Sequence, residues 1–294
     1  MIFVATNADA SALNLGKISI KNIGDVSKET YDVITAYGNK SLTDDQIIAL
    51  DDFLIAFNNA SWKSKVKRLV IPVLGNDVDN PTSSSAGVEY ANLYDIIKKE
   101  KGKLTTGGTN GDTGSPVITF KDGIYANAFA NSANYVPSFI YTEIPYNVRD
   151  LMFGVYGKRG THPNNEASNV ILSIKSPVWA CGLTPKTFEV GASTQKTTIS
   201  TAETDKGEDF NAIFSYNYGS YFFKGYKDGV LVSVSTLKDT YANGETNNGF
   251  AFYQGDKAEK KIGNVIKIMT LGSSMTEQEM KQYDSLLRNL LSVL

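Results

Sequence analysis

The chain has 294 residues, 41% of them hydrophobic, with 29 basic and 31 acidic side chains and a formal net charge of -2. That apolar fraction can fill a core and excludes wholesale disorder, and the charges form neither long blocks nor the basic face that nucleic-acid binding requires. A single histidine and a single cysteine rule out an intrachain disulfide and all but exclude a typical zinc site.

Residues 1–30 mix short apolar pieces ("IFVA", "KISIKNI") with Asn, Asp, Ser and Gly, and read as an irregular arm with one or two short strands. The opening "MIFVATNADASALNLGK" lacks a basic n-region and a long apolar centre, and no apolar run approaches the length of a bilayer span. The expectation is a soluble chain folded in a cytoplasm.

"GNKSLTDDQIIALDDFLIAF" (38–57) predicts a strong helix. Thr43 is placed to cap it, Gln46 sits where its side chain reaches back to the cap, and Leu42 with Ile47 occupy the two positions of a hydrophobic staple. Ile47, Leu50, Phe53, Leu54 and Phe57 recur at helical spacing and form one apolar face. The same grammar returns in "GSSMTEQEMKQYDSLLRNLL" (272–291), with Thr276, Glu279, the pair Met275 and Met280, and the face Met280, Tyr283, Leu287, Leu290 and Leu294. Nothing else repeats around these helices, so they bracket something different rather than mark a duplicated module.

After the first helix, "KSKVKR" (63–68) reads as a solvated approach to the β-branched run "LVIPVLG". "NDVDNPTSSSAG" (76–87) and "TTGGTNGDTGSP" (105–116) are loops by composition. "VEYANLYDIIKKEKGK" between them fits either a short helix or a strand with a charged tail. From 117 to 271 short runs recur between Gly, Asn and Asp clusters: "PVITF", "LMFGVYG", "NVILSI", "PVWACGL", "TFEV", "KTTIS", "FNAIFSYNY", "YFFKGYK", "GVLVSVS", "FAFYQG" and "NVIKIMTL". In "FNAIFSYNY" positions 210, 212, 214, 216 and 218 are apolar or aromatic, the period of a half-buried strand. Asp228-Gly229 between two such runs is a strong hairpin signal. Many short strands at this spacing predict an antiparallel sandwich or barrel, with the two capped helices before and after it.

Chemistry is sparse. A Ser-His-Asp or Cys-His mechanism would have to use His162, which stands in the Pro-Asn-rich "RGTHPNN" with no nucleophile motif nearby and reads as a surface histidine. Cys181 lies in an apolar run, the usual setting of a buried thiol. Glycoside hydrolysis needs two facing carboxylates, yet Glu143 stands alone and "AETDKGED" (202–209) has loop composition. "NDVDN" (76–80) and "TNGDTG" (109–114) offer oxygen ligands of the kind calcium takes, without the EF-hand pattern; ordinary turns are the preferred reading, so no cofactor is expected. Among 16 tyrosines, Tyr241 is set apart by its polar neighbours Asn243, Asn247 and Asn248. An aromatic ring among amides is what a glycan contact uses, although a plain hairpin loop is the simpler account.

The order of parts resembles the concanavalin A-like (laminin-G-like) jelly-roll domains of tailed-bacteriophage virion proteins such as tail and head fibres. The pieces that carry this are "LTDDQIIALDDFLIAF", Trp62, Lys65, "IPVLG", the turn-rich "TTGGTNG", the "YKDGVLVSV" hairpin and the closing "IGNVIKIMTLGSSMTEQEMKQYDSLL", over residues 31–294. "VEYANLYDIIKKEKGK" departs from the pattern. The resemblance implies a mainly β fold, an antiparallel jelly-roll sandwich flanked by an N-terminal and a C-terminal helix. Residues 1–30 would be an arm for virion attachment or oligomerisation, 31–116 the first helix, first strands and turn-rich connection, and 117–294 the sandwich with its closing helix, the last two forming one domain. It further implies a non-enzymatic virion component, a fibre or a capsid or tail decoration protein, with no nucleic-acid partner and no membrane insertion. Its partners would be other virion proteins, further copies of itself and host-surface glycans. A bacterial lectin-like module and, behind it, a glycoside-cleaving enzyme are the alternatives on the same fold.

Overall fold

The computed structural model describes residues 25–78, 89–104, 118–128, 138–140, 150–158, 170–174, 179–183, 187–192, 195–200, 209–217, 222–233, 249–252 and 262–294. They form an antiparallel jelly-roll β-sandwich with helices at its N-terminal and C-terminal ends.

Both predicted helices are present, α2 (Asp44–Asn59) and α3 (Glu277–Leu291), each with a complete capping box. Gln46 N–H donates to Thr43 Oγ1 (3.3 Å) while Thr43 N–H donates to Gln46 Oε1 (3.0 Å). Thr276 and Glu279 repeat this at 3.3 and 2.7 Å. A shorter helix, α1 (Lys28–Ala36), precedes them; it starts in the last three residues of the expected irregular arm and runs on beyond it. Its Thr30, Val33, Ile34 and Thr35 are β-branched and weak helix formers, which hides it from a periodicity reading. Tertiary contacts hold it instead: Ser27 N–H and Thr30 Oγ1 both donate to Asp51 Oδ1 of α2 at 2.9 Å.

Strand β1 (Val66–Val70) follows α2, and a 3-10 turn over Pro72–Leu74 ends it. The ambiguous segment is a hairpin: β2 (Glu89–Asp95), a turn in which Lys99 takes φ 57°, and β3 (Glu100–Leu104). Every run singled out beyond residue 117 contains a strand. In chain order they are β4 (Ile118–Phe120), β7 (Asp150–Lys158), β8 (Val170–Ile174), β9 (Trp179–Leu183), β10 (Thr187–Ala192), β11 (Gln195–Ser200), β12 (Asp209–Asn217), β13 (Phe222–Lys227), β14 (Val230–Ser233), β15 (Gly249–Phe252) and β16 (Ile262–Gly272). Two more, β5 (Ile124–Ala128) and β6 (Ser138–Ile140), carry too little alternation to be read from sequence.

The hydrogen-bonded path runs β11-β10-β9-β8-β15-β6-β3-β2-β1-β16-β7-β12-β13-β14, with β5 pairing β16 and β4 pairing β5. All ladders between these strands are antiparallel. Strand β16, eleven residues long, is the spine: β7 lies along one side, β1 and β5 share the other.

The register explains a departure in β12. Phe210, Ala212 and Phe214 are buried as their period predicts, but Ile213 and Ser215 are buried too. Ile213 pairs with Gly154 of β7, which pairs with Thr270 of β16, and this row faces the helices. Leu69, Ile71, Met152, Tyr156, Ile213, Tyr226 and Ile268 meet Phe57, Met280, Tyr283 and Leu287 in one core. Phe153, Val155, Phe214, Met269 and Leu271 are buried on the other face, the inner face of the sandwich. Central strands covered on both sides cannot show clean alternation.

Candidate functional site

Tyr241, Asn243, Asn247 and Asn248 lie on the connection from β14 to β15, outside the described residues, as do His162 and Glu143. The root of that connection is described. Ser233, the last residue of β14, stands in a row of paired residues through Lys224, Ser215, Met152 and Gly272 to Val66. This row ends the sheet beside the N-terminus of α3, and side chains lock it there. Ser215 Oγ accepts from Met275 N–H (2.8 Å) and donates to the Met275 carbonyl (2.9 Å), fully buried. Ser274 N–H donates to Asp150 Oδ1 (2.9 Å), and Asn217 Nδ2 donates to Ser274 Oγ (3.1 Å). Lys224 Nζ reaches Glu277 Oε2 at 2.9 Å. A recognition loop gains precision when its root is held by packed elements in this way.

The strongest electrostatics lie elsewhere. Arg68, expected to belong to a solvated basic approach, is 1% exposed. Its Nη1 donates to Asp95 Oδ2 at 2.8 Å and to Glu100 Oε1. Asp95 Oδ1 accepts from the N–H groups of Leu69 (3.2 Å), Ile97 (2.8 Å) and Lys98 (3.3 Å). Burial pushes the Asp95 carboxyl up, against the opposing pull of Arg68 and these amides. The signal for Arg68 was its position two residues before Val70, on the side of the strand that faces inward; the three lysines around it masked that signal.

A second cluster joins α3 to the sheet. Asp284, buried, accepts from Tyr156 Oη (2.9 Å) and Arg288 Nε (2.8 Å). Burial again raises the carboxyl, with Arg288 and Tyr156 opposing. Burial also raises the Tyr156 hydroxyl, reinforced by Asp284. The Asp284–Arg288 spacing of four residues is legible as a helical pair, but that Asp284 faces inward is not.

Glycoside hydrolysis needs two carboxyl groups on either side of a reachable bond. Asp95 and Glu100 instead share one guanidinium, and Asp95 has no exposed surface. Both clusters act as fasteners. Of the calcium candidates, only Asn76 and Asp77 are described. Asp77 Oδ1 accepts Asp122 N–H (3.2 Å) and lies 3.9 Å from Lys40 Nζ, and Asn76 Nδ2 donates to the Gly38 carbonyl (2.6 Å). Among the described residues no three His, Cys, Asp or Glu side chains converge as metal ligands would.

No family model matches the chain, and no curated protein matches it. Among solved structures it is similar to the Trypanosoma rangeli sialidase in complex with sialic acid, at 7% identity and a TM-score of 0.46, over 77% of this chain and 33% of that one. It is also similar to the botulinum neurotoxin serotype G binding domain, at 12% identity and a TM-score of 0.48, over 67% and 49% of the two chains. A third is domain 4 of AbnA, a GH43 extracellular arabinanase from Geobacillus stearothermophilus, in complex with arabinotriose, at 14% identity and 0.42, over 67% and 97%. The match thus spans a third of the sialidase and half of the neurotoxin domain, and at these identities the likeness is one of chain course alone.

Proposed function

We propose that this chain is a non-enzymatic structural component of a tailed-bacteriophage virion, a fibre or decoration subunit, whose lectin-like sandwich presents a surface for host glycans. The order of parts in the sequence supports the virion assignment: capped helix, strand, Asp-Gly hairpin, closing strand, capped helix. The observation that carries the binding role is the rim of β7, β12, β13 and α3. The connection bearing Tyr241, Asn243, Asn247 and Asn248 starts after Ser233 of β14, which pairs with Lys224 on this rim, and Ser215, Asp150, Asn217 and Lys224 fix the rim to the start of α3. An aromatic ring and amides on a fixed root suit stacking on a sugar face and hydrogen bonding to its hydroxyls. In this reading residues 1–30 are the arm for a capsid or tail partner, and several copies act together.

Mass spectrometry of purified virions from the source, with copy number taken against the major capsid protein, tests the assignment. A fixed multiple is expected, and absence from virions overturns it. Glycan arrays with the parent and Tyr241→Ala test the binding role. A ligand lost in the variant supports it; equal binding by both moves the site elsewhere. Glycan binding by a chain absent from virions would leave the lectin-like module as the better account.

A further inference from the structure

The strand path has a narrow point. Six strands (β1, β16, β7, β12, β13, β14) lie on the helix-backed side, and eight (β2, β3, β6, β15, β8, β9, β10, β11) continue beyond it. The junction is β1 with β2, where the ladder has a single residue pair, Val70 with Asp95. By contrast β7 and β12 share nine pairs, Asp209 with Lys158 through Asn217 with Asp150. Backbone pairing therefore does little to join the two sides along the path.

Side chains fill the gap, and one comes from α1. Tyr37, fully buried just beyond the last turn of α1, sits across the junction. Its hydroxyl accepts from Ile71 N–H (2.7 Å) at the end of β1 and donates to the Tyr94 carbonyl (2.5 Å) of β2. One phenol thus satisfies a donor on one strand and an acceptor on the other, as a ladder rung would. Its ring meets Tyr94 edge to face, with centroids 5.6 Å apart. Asp95 makes the second side-chain crossing, to Leu69 N–H and Arg68, beside a backbone bond from Ile96 N–H to the Leu69 carbonyl (2.9 Å). Arg68 is tied in turn to the helix layer, since Thr270 Oγ1 donates to its carbonyl (3.0 Å) and meets Tyr283 Oη at 2.8 Å.

We infer that α1 is a strap: through Tyr37 it closes a seam between β1 and β2 that the backbone ladder leaves nearly open, so that displacing α1 frees the β2–β3 hairpin from the helix-backed strands. The strap is itself tethered to α2 by Ser27 and Thr30 on Asp51. This rests on the geometry of the seam and not on the proposed function.

Hydrogen-exchange mass spectrometry on the full chain tests it with two mild variants. Tyr37→Phe keeps the ring and removes the rung; Thr30→Val leaves the seam intact and loosens the tether. In both, amides at 69–71 and 89–104 should exchange at least about tenfold faster, Thr30→Val losing its bond to Asp51 and Tyr37→Phe both bonds of its hydroxyl. Amides of β7, β12 and β16 should change by no more than about twofold. Equal acceleration in all strands would make α1 ordinary core filling and overturn the inference. So would seam amides that do not respond in Thr30→Val, since the strap would then not depend on its tether.

Discussion

Glu279 and Asp284, on the same helix, are shifted in opposite directions, the first carboxyl down and the second up. Partial burial opposes charge on Glu279, but Lys65 Nζ at 2.6 Å and the Thr276 N–H outweigh it and hold the carboxyl below its ordinary value. A depressed folded-state pKa contributes stability above the unfolded value of 4.5 and loses it as pH falls through the folded one. Asp284 is raised, so its native form takes up a proton first and its burial is least costly in acid. Glu279→Gln should thus be less stable than the parent at neutral pH, with the gap closing below about pH 4 in urea titrations. Glutamine still serves the N3 position of a capping box, so the difference reports the Lys65 pair and the helix dipole. A gap that persists unchanged in acid would show that packing, not charge, is responsible.

At the scale of elements, the local signals that survive folding are those completed within a few residues. Each threonine cap is satisfied by its own first turn, and the hairpin turn by Asp228 at φ 50° and Gly229 at φ 78°. The caps differ in what depends on them. Both caps lie on the surface, but Thr276 follows Met275, whose carbonyl and N–H both bond the buried Ser215. Thr43→Ala should cost about 1 kcal/mol, the usual value for a lost cap. Thr276→Ala should cost more, up to about 2 kcal/mol, because the loosened turn also strains a buried pair. Chemical denaturation of both variants gives the ranking, and equal losses would mean the Met275–Ser215 bonds hold regardless of the cap.

At the scale of the molecule, the two ends of the described chain meet. Strand β16 inserts between β1 and β7, and α3 packs on α2, with Phe57 and Tyr283 ring centroids 6.0 Å apart and Trp62 Nε1 donating to Gln282 Oε1 (3.0 Å). Pairing strands some two hundred residues apart in sequence makes folding slow and dependent on the last elements made. A chain cut after Gly272 keeps every strand but uncovers Met152, Tyr156, Ile213 and Ile268. It should bind an apolar dye and aggregate rather than unfold in one cooperative step, as light scattering and dye fluorescence would show. A soluble, cooperative truncated form would mean the helix layer is an accessory.

The sequence alone determined the capped helices α2 and α3, the Asp-Gly hairpin, the eleven β runs beyond residue 117 and so the sandwich class, because each rests on contacts or periodicities a few residues long. It also singled out the amides and tyrosine of the connection from β14 to β15, by composition. Tertiary structure decided what depends on a distant partner. Helix α1 exists because Asp51 and the seam hold it, Arg68 is buried because Asp95 and Glu100 meet it, and β12 loses its alternation because α3 covers its second face. It also placed both capped helices on one face of the sheet: their apolar stripes demand cover, and β16 beside β1 brings them to the same side.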